Sequence, residues 1–579
     1  MTVSTETTVS LIAASGRARV FSPLWLLGAA LLGCIALLAL PIRLPIGPMY
    51  WDVYIYYDAA NRIASGQVPA LDFFTPVGPL GYYLFAALNY VFPNAQPTLI
   101  AHWALLLVSA PLMALVVYDV DKRSRLTAFG LLLPFLLYVL LPFNTREFYV
   151  FPGSDGFGIY NRQICHILYI LIAALLFVKD RRLLLVLTCL CMIALFFLKI
   201  TGFVAGGLIC LFAFAAGRVS FRAGVIIFAG FLASLAVAQL LGGLVAAYVG
   251  DILILLDMNS ETLAPRFLQA TSLNFGITIS SLLLCAVLAW ISFGETRARA
   301  GDGFVAKVSH WLDQDWIWLL VVLAAGILFE TQNTGSQALI FLAPVLILIL
   351  TERRRLLASK PAVYAAIVLF AAVIAVPPAI SVTEKAARAY VGSALAFGLQ
   401  NNNLKTLGAV TTRPEVLQRS TDMMSLYARH RSMFDEVVAA GDLPSPMLYS
   451  NFDFQISYLR AVDQAIDAVR ALEQDKGVRF ETMMSINFTN PFPWLMDRTA
   501  PRYIAIGADP FRAVPPPESD EEQAVADVDI ALLPTCPPTT ANVALSRLYA
   551  KPLANHKRIQ LTPCYDAFVN PKFAGSLGL

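Results

Sequence analysis

Long apolar runs recur along the first 380 residues and are separated by short polar segments. Eleven runs predict membrane-spanning helices, at about 21–42, 98–118, 126–142, 163–178, 183–199, 201–216, 223–248, 273–293, 316–329, 336–351 and 361–380. A helix needs roughly 20 apolar residues to cross the hydrocarbon core of a bilayer. The runs are continuous rather than alternating, which excludes a membrane β-barrel. The pattern therefore predicts a polytopic α-helical membrane protein.

A further apolar segment, Gly78–Phe92, admits two interpretations. It is short for a span, and runs of this length are more often interfacial or re-entrant. We favour an interfacial or re-entrant placement, which gives eleven spans. If the segment does span the membrane, there are twelve spans and Lys122–Arg125 moves to the outer side.

The basic residues predict the orientation of the helices. With eleven spans, the clusters fall in alternate loops, which the positive-inside rule places in the cytoplasm. These clusters are Arg17/Arg19, Lys122–Arg125, Lys179–Arg182, Arg218/Arg222, Arg297/Arg299/Lys307 and Arg353–Arg355. We therefore expect a cytoplasmic N-terminus and an external C-terminal part.

After Ile380 the pattern changes to short helical and strand-like segments. It predicts helices at Val416–Ala440 and Tyr458–Gln474 and strands at Met447–Tyr449, Arg479–Ser485, Tyr503–Ile506 and Asp529–Leu533. Such alternation is typical of a small α/β domain. We therefore divide the chain into a transmembrane domain, 1–380, and a periplasmic α/β domain, 381–579. Outside the cytoplasm, a disulfide between Cys536 and Cys564 is plausible.

The composition agrees with a membrane protein and narrows the chemistry. The chain is 58% hydrophobic and 14% charged, whereas ordinary soluble domains carry about 25% charged residues. It has no P-loop, GxGxxG or HExxH motif, so nucleotide-driven and zinc-protease mechanisms have no support. We expect membrane lipids as partners and no nucleic acid.

The first outer loop, 43–97, collects residues that can carry chemistry. On a helix, Asp58 and Arg62 lie one turn apart and can pair. Asp52 has no such partner nearby in sequence and follows an aromatic residue, so its pKa should be raised, as suits a general base. The alternative is that Asp52 only marks the end of the first span.

Three cations are candidates for binding a phosphate. Arg146 and Arg162 lie on the predicted outer side, and Arg forms fork-like contacts with phosphate. Lys199 interrupts two apolar runs, where a charge is costly and often functional. The alternatives are loop charges paired to Glu147 and Asp155 for the two arginines, and a snorkelling side chain for Lys199.

Other polar and aromatic residues could contact a substrate. Glu330 and Gln332 lie in a short outer turn and could bind sugar hydroxyls, or could simply be solvated. Tyr54 and Tyr57 could line a lipid entrance, although aromatics gather at membrane interfaces anyway.

The segment Gly66–Tyr83 has the order G-x-x-P-x-x-D-F-F-x-P-x-G-P-L-x-Y-Y. With an Asp near the end of the first span, it resembles the first periplasmic loop of GT-C glycosyltransferases, including the bacterial aminoarabinose, protein-mannosyl and lipopolysaccharide-sugar transferases. The resemblance is strong over about residues 45–95. From there to residue 380 it is weaker and concerns only the arrangement of apolar spans and loops.

The resemblance implies a specific reaction. GT-C enzymes transfer a sugar from a lipid phosphate on the outer face, and the position of their acidic base matches Asp52. Many members have a double acidic motif there, whereas this chain has Asp58 six residues on, which leaves open whether Asp58 helps to bind a metal or pairs with Arg62. Asp72 matches a loop acid that is more structural in the family. The resemblance implies no required cofactor, and it leaves open whether a divalent ion, Mg²⁺ or Mn²⁺, takes part.

The sequence thus predicts an inverting transferase that moves a sugar from a polyprenyl phosphate to an envelope lipid or glycan. In it Asp52 is the base, helped by Asp58, with Arg146, Arg162 and Lys199 on the phosphate and Tyr54, Tyr57, Asp72, Glu330 and Gln332 near the substrate. The alternatives are a transporter or flippase of envelope precursors, which should carry polar residues within several spans, and a non-catalytic assembly protein.

Overall fold

A computed structural model describes residues 22–145, 153–259, 263–295, 304–331, 337, 339–442 and 452–578. Helices make up most of the first 393 residues: α1 (Pro23–Leu38), α2 (Trp51–Ala64), α3 (Leu80–Val91), α4 (Pro97–Trp103), α5 (Leu106–Asp121), α6 (Arg125–Leu140), α7 (Ile159–Phe177), α8 (Arg181–Leu198), α9 (Ile200–Ala215), α10 (Phe221–Gly242), α11 (Leu244–Asn259), α12 (Leu263–Leu273), α13 (Phe275–Glu295), α14 (Phe304–Leu312), α15 (Asp315–Glu330), α16 (Ala343–Glu352), α17 (Leu356–Ser359) and α18 (Pro361–Ser393).

The remaining elements are shorter and mixed. The helices are α19 (Pro414–Arg429), α20 (Arg431–Ala440), α21 (Phe452–Lys476), α22 (Phe492–Met496), α23 (Ser519–Ala526), α24 (Thr540–Leu548) and α25 (Ala574–Leu577). The strands are β1 (Leu44–Pro45) in the first loop, then β2 (Phe397–Gly398), β3 (Val410–Thr412), β4 (Met483–Ser485), β5 (Ile530–Pro534), β6 (Lys557–Thr562) and β7 (Tyr565–Val569).

The apolar helices make this a multi-pass membrane protein. Among the described residues, five helices are long and apolar enough to cross a bilayer, namely α7, α8, α10, α13 and α18. Two bent pairs, α4–α5 and α14–α15, would each form one more span. Three predicted runs became the shorter helices α1, α6 and α9; each has 16 residues and is about 24 Å long, somewhat less than the hydrocarbon core.

Four predicted boundaries were wrong. The run 223–248 ends at Gly242, because Gly243 adopts a left-handed conformation with φ of 71° that stops α10. The predicted outer loop Gly250–Ser272 lies largely in helices α11 and α12. The run 336–351 keeps only the ten-residue α16 after a 3₁₀ turn, and the run 361–380 continues to Ser393. The predicted domain boundary therefore falls inside α18, and the division itself stays a prediction.

The short apolar segment Gly78–Phe92 forms α3, which has 12 residues. Such a helix is about 18 Å long and too short to cross a bilayer, in agreement with the interfacial or re-entrant interpretation. A glycine is required at the start of this helix, since a Cβ at Gly78 would clash with the carbonyl oxygen of Phe197. The backbone N–H of Gly78 donates to the Leu198 carbonyl at 2.9 Å, so the loop is seated on the end of α8.

The C-terminal part contains a four-stranded sheet in the order β4-β5-β7-β6. β4 and β5 are parallel, and the other two pairs are antiparallel. Helices α23 and α24 cover one face of the sheet. Val525 of α23 and Leu545 of α24 belong to the same buried cluster there as Met484, Ile486 and Ala531. This confirms that short helices and strands alternate after the apolar helices. A disulfide joins Cys536 and Cys564, as the sequence suggested.

Several local predictions in this part need correction. The predicted helix Val416–Ala440 is divided at His430 into α19 and α20, and the β6–β7 hairpin was missed. Residues Tyr503–Ile506 are not a strand; instead their backbone N–H groups bond to the first loop, from Tyr503 to the Asp72 carbonyl and from Ile506 to the Phe74 carbonyl. The predicted strand Met447–Tyr449 lies outside the described residues.

The C-terminal part holds the first outer loop from the other side. Strand β1 of the loop pairs in parallel with β3, which also pairs with β2. The Gln455 side chain accepts a hydrogen bond from the Tyr50 backbone N–H at 2.7 Å, just before α2 begins. The ring of Tyr57 on α2 stacks on Trp494 with centroids 3.9 Å apart. Helix α2 is therefore enclosed between the apolar helices and the C-terminal part.

Candidate active site

Asp52 lies at the meeting point of two helix N-termini. It occupies the first turn of α2 and is 5% exposed. Its Oδ2 accepts a hydrogen bond of 2.8 Å from the backbone N–H of Gly158, the N-cap residue of α7. Gly158 has a φ of 68°, which a residue with a Cβ adopts at a cost. Free N–H groups and the dipole at a helix N-terminus favour a negative charge, so the fold positions the Asp52 carboxylate firmly.

Burial decides the protonation behaviour of Asp52. It raises the pKa of the carboxyl group from 3.8 to about 6, and the Gly158 hydrogen bond, Arg162 and Lys199 moderate the rise. A carboxylate with such a pKa is largely ionised at neutral pH but basic enough to accept a proton from a hydroxyl group. The sequence-based expectation of a raised pKa is confirmed.

Arg162 provides hydrogen-bond donors beside this carboxylate. It lies in the first turn of α7 and is 0% exposed. Its Nη2 donates to the Asp155 carbonyl at 2.9 Å, whereas Nε and Nη1 have no hydrogen-bond partner among the described residues. Buried donors are normally satisfied, and a guanidinium group suits a bidentate anion. This bond goes to the backbone carbonyl of Asp155 and not to its carboxylate, it uses only one side of the guanidinium group, and two donors remain for a ligand.

Lys199 joins α8 to α9 and lies in the same electrostatic environment. Its Nζ donates to the Asn161 side chain at 3.3 Å and lies 4.8 Å from the centroid of the Tyr160 ring. Burial and the nearby Arg512 lower the pKa of Lys199 from 10.5 to about 7, against the opposing effects of Asp52 and Glu330. The lysine therefore loses its charge near neutral pH unless an anion binds beside it.

The pKa values of Asp52 and Lys199 predict a bell-shaped pH dependence of kcat/KM. If Asp52 is the base, the rate should rise with pH through about 6, because only the ionised carboxylate accepts a proton. If the Lys199 cation binds the donor, the rate should fall above about pH 7. Transfer assays across this range test both limbs. Lys199→Arg should extend activity to higher pH, and an unchanged alkaline limb in that variant would exclude Lys199.

Three tyrosines that the sequence analysis missed surround Asp52. Tyr56 lies one turn further along α2 and 5.4 Å from Tyr82 between ring centroids, and both interact electrostatically with Asp52. Tyr160, in the first turn of α7, does so as well. The four-residue spacing from Asp52 to Tyr56 could have indicated Tyr56, and Tyr82 belongs to the loop motif that ends at Tyr83, but nothing local to Tyr160 does.

The structure places Tyr54 and Tyr57 elsewhere. The Tyr54 ring packs against Tyr458, with centroids 5.7 Å apart. Tyr57 is fully buried, and its hydroxyl hydrogen-bonds with Thr406 at 2.7 Å. Both therefore fix α2 to the C-terminal part, and their predicted contact with a substrate stays a prediction.

Asp58 forms the ion pair expected from the sequence. Its carboxylate accepts a hydrogen bond of 3.0 Å from Arg62 Nε, and both side chains are nearly inaccessible. Arg62 also donates to the Pro501 carbonyl at 2.7 Å and to Gln67 at 3.1 Å. The ion pair that the sequence allowed is therefore present, and it anchors α2 to the C-terminal part. The catalytic role of Asp58 stays a prediction.

Breaking this pair should destabilise the protein. Asp58→Asn leaves a buried guanidinium without its counter-ion, which typically costs about 3–5 kcal/mol. Asp72→Asn is a matched control. Its ion-pair partner Arg502, at 3.0 Å, is 54% exposed, and pairs with an exposed partner contribute about 0–1 kcal/mol. Thermal unfolding followed by fluorescence should show a large loss for the first variant and a small one for the second. Equal melting temperatures would contradict the anchoring role of Asp58.

The remaining predicted residues divide into three groups. Asp72 accepts a hydrogen bond from the Val68 backbone N–H at 2.7 Å and bridges to Arg502, so it holds the loop and the C-terminal part together. Glu330 is buried at the end of α15 and lies within electrostatic range of Lys199. Arg146 and Gln332 lie outside the described residues. Within the described ranges, no group of three or more His, Cys, Asp or Glu side chains could hold a metal ion.

Comparison with known proteins gives structural matches only. No family model matches the chain, and none of the curated proteins does. The chain matches the crystal structure of ArnT from Cupriavidus metallidurans bound to undecaprenyl phosphate, with 11% identity over 96% of this chain and 98% of that chain and a TM-score of 0.42. The apo state of ArnT matches over 94% and 97%, with 11% identity and a TM-score of 0.35.

A third match is the archaeal oligosaccharyltransferase AglB from Archaeoglobus fulgidus, in complex with an inhibitory peptide and a dolichol-phosphate. It covers 93% of this chain and 72% of that chain, with 13% identity and a TM-score of 0.34. Because the superpositions are loose, the functional proposal rests on the geometry of the site alone.

Proposed function

We propose that this chain is an inverting membrane glycosyltransferase whose sugar donor is a polyprenyl phosphate. The observation that carries the proposal is the arrangement at Asp52: a buried carboxylate with a raised pKa, next to an Arg162 guanidinium with two unsatisfied donors among the described residues. A base and an anion-binding group at one point are the two parts that displacement of a phosphate by a hydroxyl group requires.

The reaction is a single displacement. Asp52 removes the proton from an acceptor hydroxyl, and the oxygen forms a bond to the anomeric carbon as the bond from that carbon to the donor phosphate breaks. The phosphate leaves with the electron pair, and Arg162 and Lys199 stabilise its charge. Arg146 is a third candidate for this role, while Glu330 and Gln332 remain candidates for contacts with the sugar. Attack opposite to the leaving group inverts the anomeric configuration.

The location of the site supports access from the outer face. The C-terminal part, which covers α2, carries the Cys536–Cys564 disulfide, and disulfides persist mainly in oxidising compartments such as the periplasm. We therefore place 381–579 in the periplasm and the N-terminus in the cytoplasm of a bacterial inner membrane. The acceptor is an envelope lipid or glycan, and no metal is needed for the steps above.

The direct test uses the purified protein in nanodiscs with a pool of labelled polyprenyl-phosphate sugars and membrane extract as acceptor. The proposal predicts transfer of label into membrane material and a product whose anomeric configuration is opposite to that of the donor. Retention of configuration would exclude the single displacement. No transfer across a broad donor pool, in protein that is folded, would contradict the assignment as a transferase.

A further inference from the structure

One segment of the C-terminal part, 503–514, lies against the first outer loop and α2. The two backbone hydrogen bonds to the loop that were described above hold its first residues in place. Gly507 then packs on α2, since a Cβ at this position would lie 3.1 Å from Cδ1 of Ile55. Ile55 lies about one turn from Asp52 on the same helix, so the segment passes close to the proposed base.

The second half of the segment is a turn that presents Arg512. The Asp509 carboxylate accepts a hydrogen bond from the Phe511 backbone N–H at 3.1 Å, and the Asp509 carbonyl accepts one from the N–H of Arg512 at 3.2 Å. From the other side, the Asn259 amide at the end of α11 donates to the Arg512 carbonyl at 3.1 Å. The backbone of Arg512 is therefore fixed, while the residue is exposed and open to a ligand.

Three cations from separate segments approach one another here. Arg512 lies within electrostatic range of Lys199 and of Arg266 on α12. It is also within range of Tyr160, whose ring centroid lies 4.8 Å from Lys199 Nζ. Two neighbouring residues thus independently place the Arg512 guanidinium on the Lys199 side of the site. Like charges repel, and an anion bound between them removes the repulsion.

The acidic residues nearby leave this need unmet. Within the described parts of the chain, no carboxylate forms an ion pair with Arg512. Asp509 is within electrostatic range of it, but its carboxylate bonds to the turn backbone. Asp52 and Glu330 oppose the effect of Arg512 on Lys199, and each has a smaller effect than Arg512. Because an arginine keeps its charge at every physiological pH, a bound anion is the remaining way to balance it.

The surroundings of the two arginines favour an anion that carries an apolar chain. Phe511, directly before Arg512, is 55% exposed, and Phe267, directly after Arg266, is 38% exposed. A free phosphate ion would not cover such side chains, whereas a lipid phosphate has apolar carbon atoms next to its charge. A guanidinium group also suits the fork-like contacts of a phosphate.

From these contacts we infer that Arg512 binds the phosphate of the polyprenyl donor together with Lys199, so that the C-terminal part completes the donor site. This inference rests on the proposed function and adds to it a binding residue from outside the apolar helices. Lys199 and Arg162 both lie within electrostatic range of Asp52, and Arg512 approaches the phosphate from the Lys199 side. A donor site without the segment 503–514 is therefore incomplete.

Donor kinetics test the role of Arg512. Arg512→Met should raise the KM for the donor about tenfold, the scale of one lost hydrogen bond to a charged group, and leave the KM for the acceptor unchanged. Arg512→Lys should keep part of the donor affinity, because it retains the charge without the planar fork. The matched control, Arg502→Met, lies just before the segment and should leave both values unchanged. An unchanged donor KM in Arg512→Met would overturn the inference and leave the transferase assignment intact.

The pH profile provides a readout that a purely structural role would not change. Arg512 contributes to the lowered pKa of Lys199, so Arg512→Met should raise that pKa and move the alkaline limb of kcat/KM to higher pH. Arg512→Lys keeps a positive charge near Lys199 and should leave the limb close to its wild-type position. An alkaline limb that does not move in Arg512→Met would contradict the placement of this side chain beside the phosphate.

A binding experiment without transfer separates failure of the inference from failure of the proposed function. An acetylating reagent labels Lys199 of the protein in nanodiscs, and mass spectrometry measures the rate relative to that without added lipid. Undecaprenyl phosphate should protect Lys199 in the wild type, undecaprenol should not, and Arg512→Met should need about tenfold more of the phosphate for the same protection.

The outcomes of the labelling experiment are distinct. Equal protection in wild type and Arg512→Met, or no protection by undecaprenyl phosphate, would overturn the inference even if sugar transfer were observed. Protection that depends on Arg512, without transfer from any donor, would support the phosphate site and contradict the transferase.

Discussion

Asp52→Asn is expected to lower kcat for sugar transfer by about 10²–10⁴-fold, the usual contribution of a general base. The amide is nearly the same size as the carboxylate and its oxygen can still accept the Gly158 hydrogen bond, so folding should be preserved. It cannot take a proton from an attacking hydroxyl group. Initial rates at saturating donor, with equal amounts of folded protein, measure the effect.

The matched control for this variant is Asp422→Asn. Asp422 is exposed on α19 and accepts a hydrogen bond from Gln418 on the same helix, so its substitution should leave kcat unchanged. Transfer by Asp52→Asn at the wild-type rate would remove Asp52 from catalysis. The Asp58–Arg62 ion pair makes Asp58 a poor replacement, and the search would then move to groups outside α2.

Arg162→Met is expected to reduce kcat/KM by about 10²–10³-fold, because a group that stabilises developing charge in a buried site contributes on this scale. Met has a similar length and fills the buried space, but has no donor for the phosphate. Arg162→Lys should recover part of the loss, since it restores the charge without the planar fork. Donor kinetics in the two variants separate the effect of the positive charge from that of the planar, bidentate guanidinium group.

Arg502→Met provides the control for a lost positive charge. Arg502 pairs with Asp72 at the surface between the loop and the C-terminal part, and its removal should change kcat/KM little. If Arg162→Met and Arg502→Met have the same kinetics as the wild type, the phosphate binds elsewhere, and the unsatisfied donors of Arg162 have another ligand.

Local sequence spacing predicted part of the site correctly. The Asp58–Arg62 pair follows from the four-residue repeat of a helix, and Lys199 was indicated because it interrupts an apolar stretch. In both cases the deciding information lies within a few residues along the chain. The raised pKa of Asp52 was expected from its lack of a partner nearby in sequence, but its physical cause is burial between distant segments.

The rest of the site depends on contacts between distant segments. The Gly158 N–H reaches Asp52 across 106 positions, and Arg512 of the C-terminal part lies within electrostatic range of Lys199. Neither contact leaves a periodic signal in the sequence. Likewise, the break at Gly243 was hidden because apolar residues continue on both sides of it, and Tyr503–Ile506 has the composition of a strand but bonds to the first loop instead.

If the donors of Arg162 beside Asp52 bind the phosphate of a polyprenyl lipid, the protein should distinguish that lipid from its uncharged alcohol. Native mass spectrometry can compare the retention of a polyprenyl phosphate with that of the polyprenol of the same chain length, in wild type and in Arg162→Met. We expect the phosphate form to be retained preferentially by the wild type and the preference to disappear in the variant. Equal retention of both lipids by the wild type, or an undiminished preference in Arg162→Met, would contradict the binding of this phosphate by Arg162.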